Sequence, residues 1–314
     1  GLGVECVQGY ARFIDPWTVE IDDGNGGRKL TARSFIIATG AAPFIPPLPG
    51  IEDSGFLTSE TLWDEMGRRD APPQRLTILG AGPIGVELAQ SFARLGSVVT
   101  LVEMADRILL KEDAEAAAIV DAQLRADGVR ILTGHRATAF SRASNGRVLQ
   151  LSGPHGDAAV EFDDVIIAIG RRARVEGFGL EQLGVVVDGR MPVDDYLATA
   201  MPHIRAAGDV AGKQQLTHGA SHEAWYAAVN ALAAPFRRFR ADYRVLPRTT
   251  YSEPELASVG LTVEQAVEQN IAHDVTRYDL DDLDRAIADG ERQGFVKILT
   301  AKGSDRILGA TIIG

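Results

Sequence analysis

The alternation of apolar and polar positions changes period several times along this chain, and one stretch frames the rest. From Arg75 to Glu103 the order is apolar run, glycine turn, apolar stripe at helical spacing, glycine, apolar run. Arg75–Leu79 and Val98–Val102 read as short buried strands. Residues 84–95 read as a helix, with Ile84, Leu88, Phe92 and Leu95 on one face and Gly96 as its stop. Residues 113–127 predict a further helix, acidic at its start and ended by Gly128. Residues 129–133, 137–141, 148–151 and 160–162 alternate as strands. Residues 164–169 form a continuous apolar strand that runs into Gly170-Arg171-Arg172.

Towards the N-terminus, residues 4–7, 10–14, 18–21, 30–32 and 35–38 predict short strands, and Asp22-Asp23-Gly24-Asn25-Gly26-Gly27 is a strong turn signal. The strand at 35–38 ends in Thr39-Gly40 and a proline-rich loop from Pro43 to Gly50. Such small residues either let a backbone or cofactor approach closely or simply end the strand. Ala71-Pro72-Pro73-Gln74 reads as a linker. Further on, 189–193 and 204–207 predict strands, the second ending in Gly208-Asp209, and a helix is expected from about Gly219 to Leu232. Beyond Arg244 the pattern changes again. Residues 250–260 are strand-like, 262–269 form a helix capped by Thr262, and 295–299 and Ile307–Ile313 are strands.

The glycine turn carries chemistry. Gly80-Ala81-Gly82-Pro83-Ile84-Gly85 is a GxGxxG placed between a strand and a helix. The first glycine permits the tight turn, the second lets backbone approach a pyrophosphate, and the third lets helix and strand pack closely. The helix N-terminus adds free N–H groups and a partial positive charge. Glu103 follows Gly80 at about the 20-residue offset of a ribose-binding acid. Its carboxylate accepts from a ribose 2′-OH and repels a 2′-phosphate, which points to NAD rather than NADP.

Length and composition narrow the class. A chain of 314 residues has room for about two or three domains. Hydrophobic residues make up 45% and charged ones 24%, as in ordinary globular proteins, and a net charge of −11 argues against nucleic acid or an anionic membrane as main partner. No apolar run approaches a membrane span, and Cys6, the single cysteine, excludes an internal disulfide, so the cytoplasm is the expected compartment. Cys6 lies in apolar surroundings without a base and reads as structural. His218 and His222 have a zinc-compatible spacing without HExxH or a third ligand, and Asp279, Asp281, Asp282 and Asp284 lack a calcium-loop glycine, so no metal site is expected. Arg237, Arg238, Arg240 and Arg244 read as a solvated basic cluster. The chain starts without Met and ends on an apolar run, and it reads as a piece of a longer protein.

Taken in order, the marks resemble one family. They are Ile37-Ala38-Thr39-Gly40 with Pro43 and 46–50, Gly80 to Glu87, Ile169-Gly170-Arg171-Arg172, Ala207-Gly208-Asp209-Val210, Leu216-Thr217-His218, Pro254 to Thr262 and Gly294-Phe295-Val296-Lys297. The sequence is similar to the flavin-dependent pyridine nucleotide–disulfide oxidoreductases, especially the dihydrolipoamide dehydrogenase and mercuric reductase branches. The resemblance implies an α/β flavoprotein with two dinucleotide-binding domains. An NAD Rossmann domain (71–189) is inserted in a partial FAD domain (1–70 and 190–243), followed by part of an α+β dimerisation domain (244–314).

On the flavin side the resemblance implies Thr39, Gly40, Gly208, Asp209 and the Gln215-Leu216-Thr217-His218 turn, with a weaker mark at Ala11. On the NAD side it implies Gly80, Gly82, Pro83, Ile84, Gly85, Glu87, Glu103, Ala137, Gly170 and Arg171. Glu87 would lie near nicotinamide and flavin. The expected activity is hydride transfer from NADH to FAD and on to a disulfide, metal or other small-molecule acceptor in a homodimeric parent. The alternatives are a flavoprotein without thiol chemistry, such as a transhydrogenase or NADH oxidase, and a dinucleotide-binding module.

The departures are as specific as the matches. The sequence lacks the family's first GxGxxG, its CxxxxC pair, the lysine that pairs with Glu87 and the C-terminal His-Glu pair, and it has Ala173-Arg174 where the family has Pro-Asn. No catalytic residue is therefore assigned. Weak or absent FAD binding with retained NAD binding is expected of this piece.

Overall fold

The computed structural model describes residues 3–24, 26–144, 146–213 and 215–314. Asn25, in the predicted turn, lies outside the described residues. Packing divides the chain into two units, 1–42 with 171–243 and 43–170 with 244–314.

The second unit is built on a parallel four-stranded sheet in the order Asp164–Ile167, Arg75–Leu79, Val98–Val102, Arg130–Leu132. Its side chains alternate between two apolar clusters, as a doubly covered parallel sheet requires. Leu76, Ile78, Val99, Leu101 and Ile166 face one, with Val86, Ala89 and Phe92 of the Pro83–Arg94 helix and Val120 and Leu124 of the Ala114–Ala126 helix. Leu79, Val102, Val165 and Ile167 face the other, with Phe140, Leu149, Leu151, Val160 and Phe162. These last come from an antiparallel sheet of Arg136–Ala143, Gly146–Gly153 and Gly156–Phe162. Residues 43–70 belong to the same body. Leu57 donates to Val165 and accepts from Ile167 at 2.8 Å each, and Leu57 and Leu62 join the first cluster.

The same unit carries an antiparallel five-stranded sheet in the order Pro247–Thr250, Leu256–Gly260, Ile307–Ile313, Phe295–Ala301, His273–Asp279. Leu256, Phe295 and Ile313 extend the first cluster. A buried ion pair fastens the two parts. Lys297 Nζ donates to both Asp113 oxygens at 2.9 and 2.8 Å and lies 3.1 Å from Glu115. Asp113 also caps the Ala114–Ala126 helix by accepting from the Glu115 and Ala116 N–H groups. Beside it Glu112 accepts from Arg248 at 2.8 Å and Ser258 at 2.6 Å.

The first unit holds an antiparallel sheet of Tyr10–Asp15, Thr18–Asp22 and Arg28–Thr31, and a parallel pair, Phe35–Ile37 with Ile204–Ala206. Phe13, Ile37, Val175, Leu180, Met191 and Ile204 share its core. The Thr217–Ala233 helix packs through Ala227 against Leu197, Ala207 and Ala241.

Several elements differ from the sequence reading. Residues 4–7 are not a strand, and 189–193 reduce to a Val187/Arg190 bridge. The 250–260 strand breaks in two around Pro254, which has no N–H to give a ladder. The Thr217–Ala233 helix starts earlier than expected, so Thr217 and His218 lie in its first turn. On the Pro83–Arg94 helix, Ile84 is exposed, as is Leu95 beyond its end, and the buried face runs through Gly85, Val86, Leu88, Ala89 and Phe92. In the arginine cluster Arg238 meets Asp194 at 2.9 Å, Arg240 meets Asp195 at 2.8 Å and Arg237 lies over the Phe239 ring at 4.7 Å. Among the described residues no helix is long and apolar enough to cross a membrane.

Candidate functional site

In the second unit the three glycines of the turn do different work. Gly80 has φ +104°, and a Cβ there would lie 2.5 Å from the Ala168 carbonyl oxygen. At Gly85 a Cβ would lie 1.9 Å from the Gly80 carbonyl oxygen, so helix and turn pack backbone to backbone. At Gly82 a Cβ would meet nothing within 4 Å. Two glycines are therefore needed by the fold, and the middle one borders open space. Gly82 is the N-cap of the Pro83–Arg94 helix and offers no side-chain cap, while Pro83 occupies the position where a missing N–H costs nothing.

Glu103 ends the second strand and turns back to the glycine loop. One carboxylate oxygen accepts from the Ala81 N–H at 2.7 Å, and the other accepts from Ala105 N–H at 2.9 Å. The Ala81 carbonyl accepts from Leu109 N–H at 2.9 Å. The residue between the first two glycines is thus held on both sides. Gly170 has φ +135°, open space where a Cβ would stand, and a carbonyl that accepts from Phe44 N–H. Ala137 pairs with Leu151 and packs against the cluster of the antiparallel sheet.

Glu87 lies one helical turn beyond Pro83 and is half-buried. Burial pushes its carboxyl above the usual range, opposed by the Tyr251 N–H that it accepts at 2.9 Å. The next turns of the helix hold the same segment. Gln90 exchanges two hydrogen bonds with the Glu253 backbone, and Arg94 pairs with Glu253 and Asp127.

In the first unit, Thr39 Oγ1 donates to the Arg174 carbonyl at 2.6 Å, and Gly40 has φ +69° with open space at its Cβ position. Arg171 lies 3.2 Å from Asp209 and donates to the Ala41 carbonyl. The structure thus joins Arg171, read from sequence with the nucleotide side, to Asp209. Gly208 has φ +80°, and its N–H donates at 2.7 Å to Glu223, which is fully buried. Glu223 also accepts from the Tyr243 hydroxyl at 2.9 Å. Burial raises the Glu223 carboxyl, and burial with the adjacent carboxylate raises the Tyr243 phenol. Gln215 is exposed, Leu216 is the N-cap of the Thr217–Ala233 helix without a side-chain bond, and Thr217 and His218 follow in its first turn. His222, four positions after His218, is tied to the Asp242 carbonyl at 2.9 Å.

The arrangement presents two glycine-lined backbone surfaces, each with a carboxylate fastened nearby. Sequence reasoning missed Glu223 and the loop at 107–112, because neither long-range bonds nor the left-handed Leu109 leave a pattern in composition or periodicity.

The comparisons with known proteins fall on both units. A family model described as pyridine nucleotide-disulphide oxidoreductase matches residues 2–224, and the model of that family's dimerisation domain matches residues 246–314. A mercuric reductase of Streptomyces lividans is 36% identical over 99% of this chain, which spans 65% of that protein. A dihydrolipoyl dehydrogenase of Thermus scotoductus is 35% identical over 100% of this chain, which spans 66% of it. Among solved structures, the HOCl-induced flavoprotein disulfide reductase RclA from Escherichia coli superposes with TM-score 0.82 at 30% identity, covering 98% of this chain and 68% of that one. LpdA from Mycobacterium tuberculosis superposes with TM-score 0.88 at 27% identity, covering 99% and 68%.

Proposed function

The chain belongs to the pyridine nucleotide-disulphide oxidoreductase family, and from that premise we propose that its protein is an FAD-dependent NADH oxidoreductase. When bound, the two cofactors supply hydride transfer from NADH to FAD and electron delivery to a disulfide, a metal ion or another small acceptor. The names of the relatives, a mercuric reductase and a dihydrolipoyl dehydrogenase, support that range of acceptors.

The observation that carries the reading is the difference among the three glycines: Gly80 and Gly85 are filled by neighbouring backbone, and Gly82 is open. An unfilled middle glycine at an uncapped helix start fits a pyrophosphate group. In this reading Gly80, Gly82, Pro83, Ile84 and Gly85 hold the NAD pyrophosphate, and Glu103 takes the ribose and prefers NAD to NADP. Glu87, Ala137 and Gly170 complete the NAD side. Thr39, Gly40, Gly208 and Asp209 hold part of the flavin, with Arg171 orienting Asp209. Gln215, Leu216, Thr217 and His218 bring the start of a long helix to it, where the helix dipole favours negative charge. Residues 1–42 and 171–243 would form the flavin part, 43–170 the NAD part and 244–314 a dimer-forming part, which moves the boundaries expected from sequence to where the packing divides. The setting is a cytoplasmic homodimer.

The test uses the protein expressed from its complete reading frame. Anaerobic NADH is expected to abolish the absorption of its oxidised flavin within the mixing time of a stopped-flow instrument. A flavin that stays oxidised under excess NADH would sink the proposal.

A further inference from the structure

Arg107 takes no part in the reading above, yet it organises the loop that holds the glycine turn. Its guanidinium donates to four carbonyls of its own downstream chain. Nη1 donates to Leu109 at 2.9 Å and, at 3.4 Å, to Ile108, and Nη2 donates to Leu110 at 2.9 Å and to Glu112 at 3.0 Å. Gathering these carbonyls curls residues 107–112 into a tight loop. Leu109 sits in it at φ +47°, a left-handed conformation uncommon for a residue with a branched side chain. Ile108 and Leu109 are buried in the main apolar cluster, so the loop is anchored from below as well.

The loop ends on the dinucleotide turn. Leu109 N–H donates to the Ala81 carbonyl, while Glu103 accepts from the Ala81 N–H. Both polar groups of Ala81 are therefore fixed by residues that follow the second strand. Ala81 lies between Gly80, which is wedged against Ala168, and Gly82, which borders open space. Its two peptide planes set how the Gly82 end of the turn is presented.

We propose that Arg107 is a positioning residue for the dinucleotide turn, acting through Leu109 and the Ala81 carbonyl to hold the backbone that meets the pyrophosphate. The proposal rests on the reading of Gly80–Gly85 as the NAD site. Guanidinium geometry suits the task, because one planar group serves several carbonyls at once, which an ammonium does less well.

The test is calorimetric titration of the 314-residue chain with NADH and, separately, with ADP, in wild type, R107M and R107K, with melting temperatures measured alongside. R107M keeps the aliphatic stem and removes every donor. It is expected to bind NADH and ADP about tenfold more weakly, by the same factor for both, as for loss of charge-assisted hydrogen bonds that fix a binding backbone. R107K is expected to fall between R107M and wild type. A folded R107M that binds both probes within about twofold of wild type overturns the proposal whatever its melting temperature, since the arginine then serves stability alone. A loss confined to NADH also overturns it, because the effect would not lie at the turn that ADP shares. If R107M does not fold, R107K decides: a loss of about threefold or more, equal for both probes, is expected, and binding within about twofold of wild type overturns the proposal. A wild-type chain that binds neither probe overturns the NAD reading itself, and this inference with it.

Discussion

Single atoms decide much of what the glycine turn does. A methyl group at Gly85 would sit on the Gly80 carbonyl, whereas one at Gly82 would enter open space. Gly85→Ala is therefore expected to destabilise the fold by about 1–3 kcal/mol, as overpacking does. Gly82→Ala should leave the melting temperature nearly unchanged and weaken NADH binding. Thermal denaturation and NADH titration of the two variants separate these outcomes. Equal melting losses would remove the distinction on which the site assignment depends. Glu223 offers a second test. Its carboxyl is raised by burial, so the folded state binds a proton more readily than the unfolded chain. The contribution of this group is then greatest below the unfolded carboxylate range near pH 4 and declines as pH rises through the raised value. E223Q keeps an acceptor for the Gly208 N–H and removes the titration. Its stability relative to wild type, followed by urea midpoints, should improve as pH rises from about 4 to 7. A difference that is flat with pH would contradict the assignment.

Elements are where the sequence was most legible and where its silence has clear causes. Arg75–Leu79, Val98–Val102 and Ile307–Ile313 were readable to the residue because each is an apolar run bounded by glycine or polar residues. The His273–Asp279 strand was not, because it is largely exposed at a sheet edge and shows no alternation of burial. Ile84 looked like part of an apolar face, yet the helix turns it outward, since Gly85 and Val86 take the packed positions. The ion pair of Lys297 with Asp113 was also out of reach: the partners are far apart in sequence and meet only when the five-stranded sheet docks on the Ala114–Ala126 helix. Both side chains are nearly inaccessible, at 4% and 1% exposure, so removing one strands the other. Lys297→Met is expected to cost about 3–5 kcal/mol in chemical denaturation, as for other broken buried pairs. A loss near that of an exposed pair, about 0–1 kcal/mol, would mean that water reaches Asp113.

At the scale of the molecule, the family marks were legible because they are short, ordered and tied to backbone geometry. The packing of residues 43–70 onto the parallel sheet was not, because Leu57 and Leu62 have no periodic partners in sequence. The chain spans 65% and 66% of the two curated relatives described above, and the motif assigned to NAD lies wholly within its second unit. Nucleotide binding should therefore survive in the 314-residue chain without flavin. Purified chain is expected to show little or no flavin absorption and yet to bind NADH. A stoichiometric flavin spectrum would show instead that residues of the first unit retain FAD unaided.

The most direct measurement is a fluorescence titration of the flavin-free 314-residue chain with NADH and with NADPH, repeated on Gly82→Ala. The glycine turn and Glu103 predict saturable NADH binding, about tenfold tighter than NADPH, and its loss in the variant. No saturable binding by the wild type, or binding that Gly82→Ala leaves intact, would contradict the assignment of the turn as the dinucleotide site.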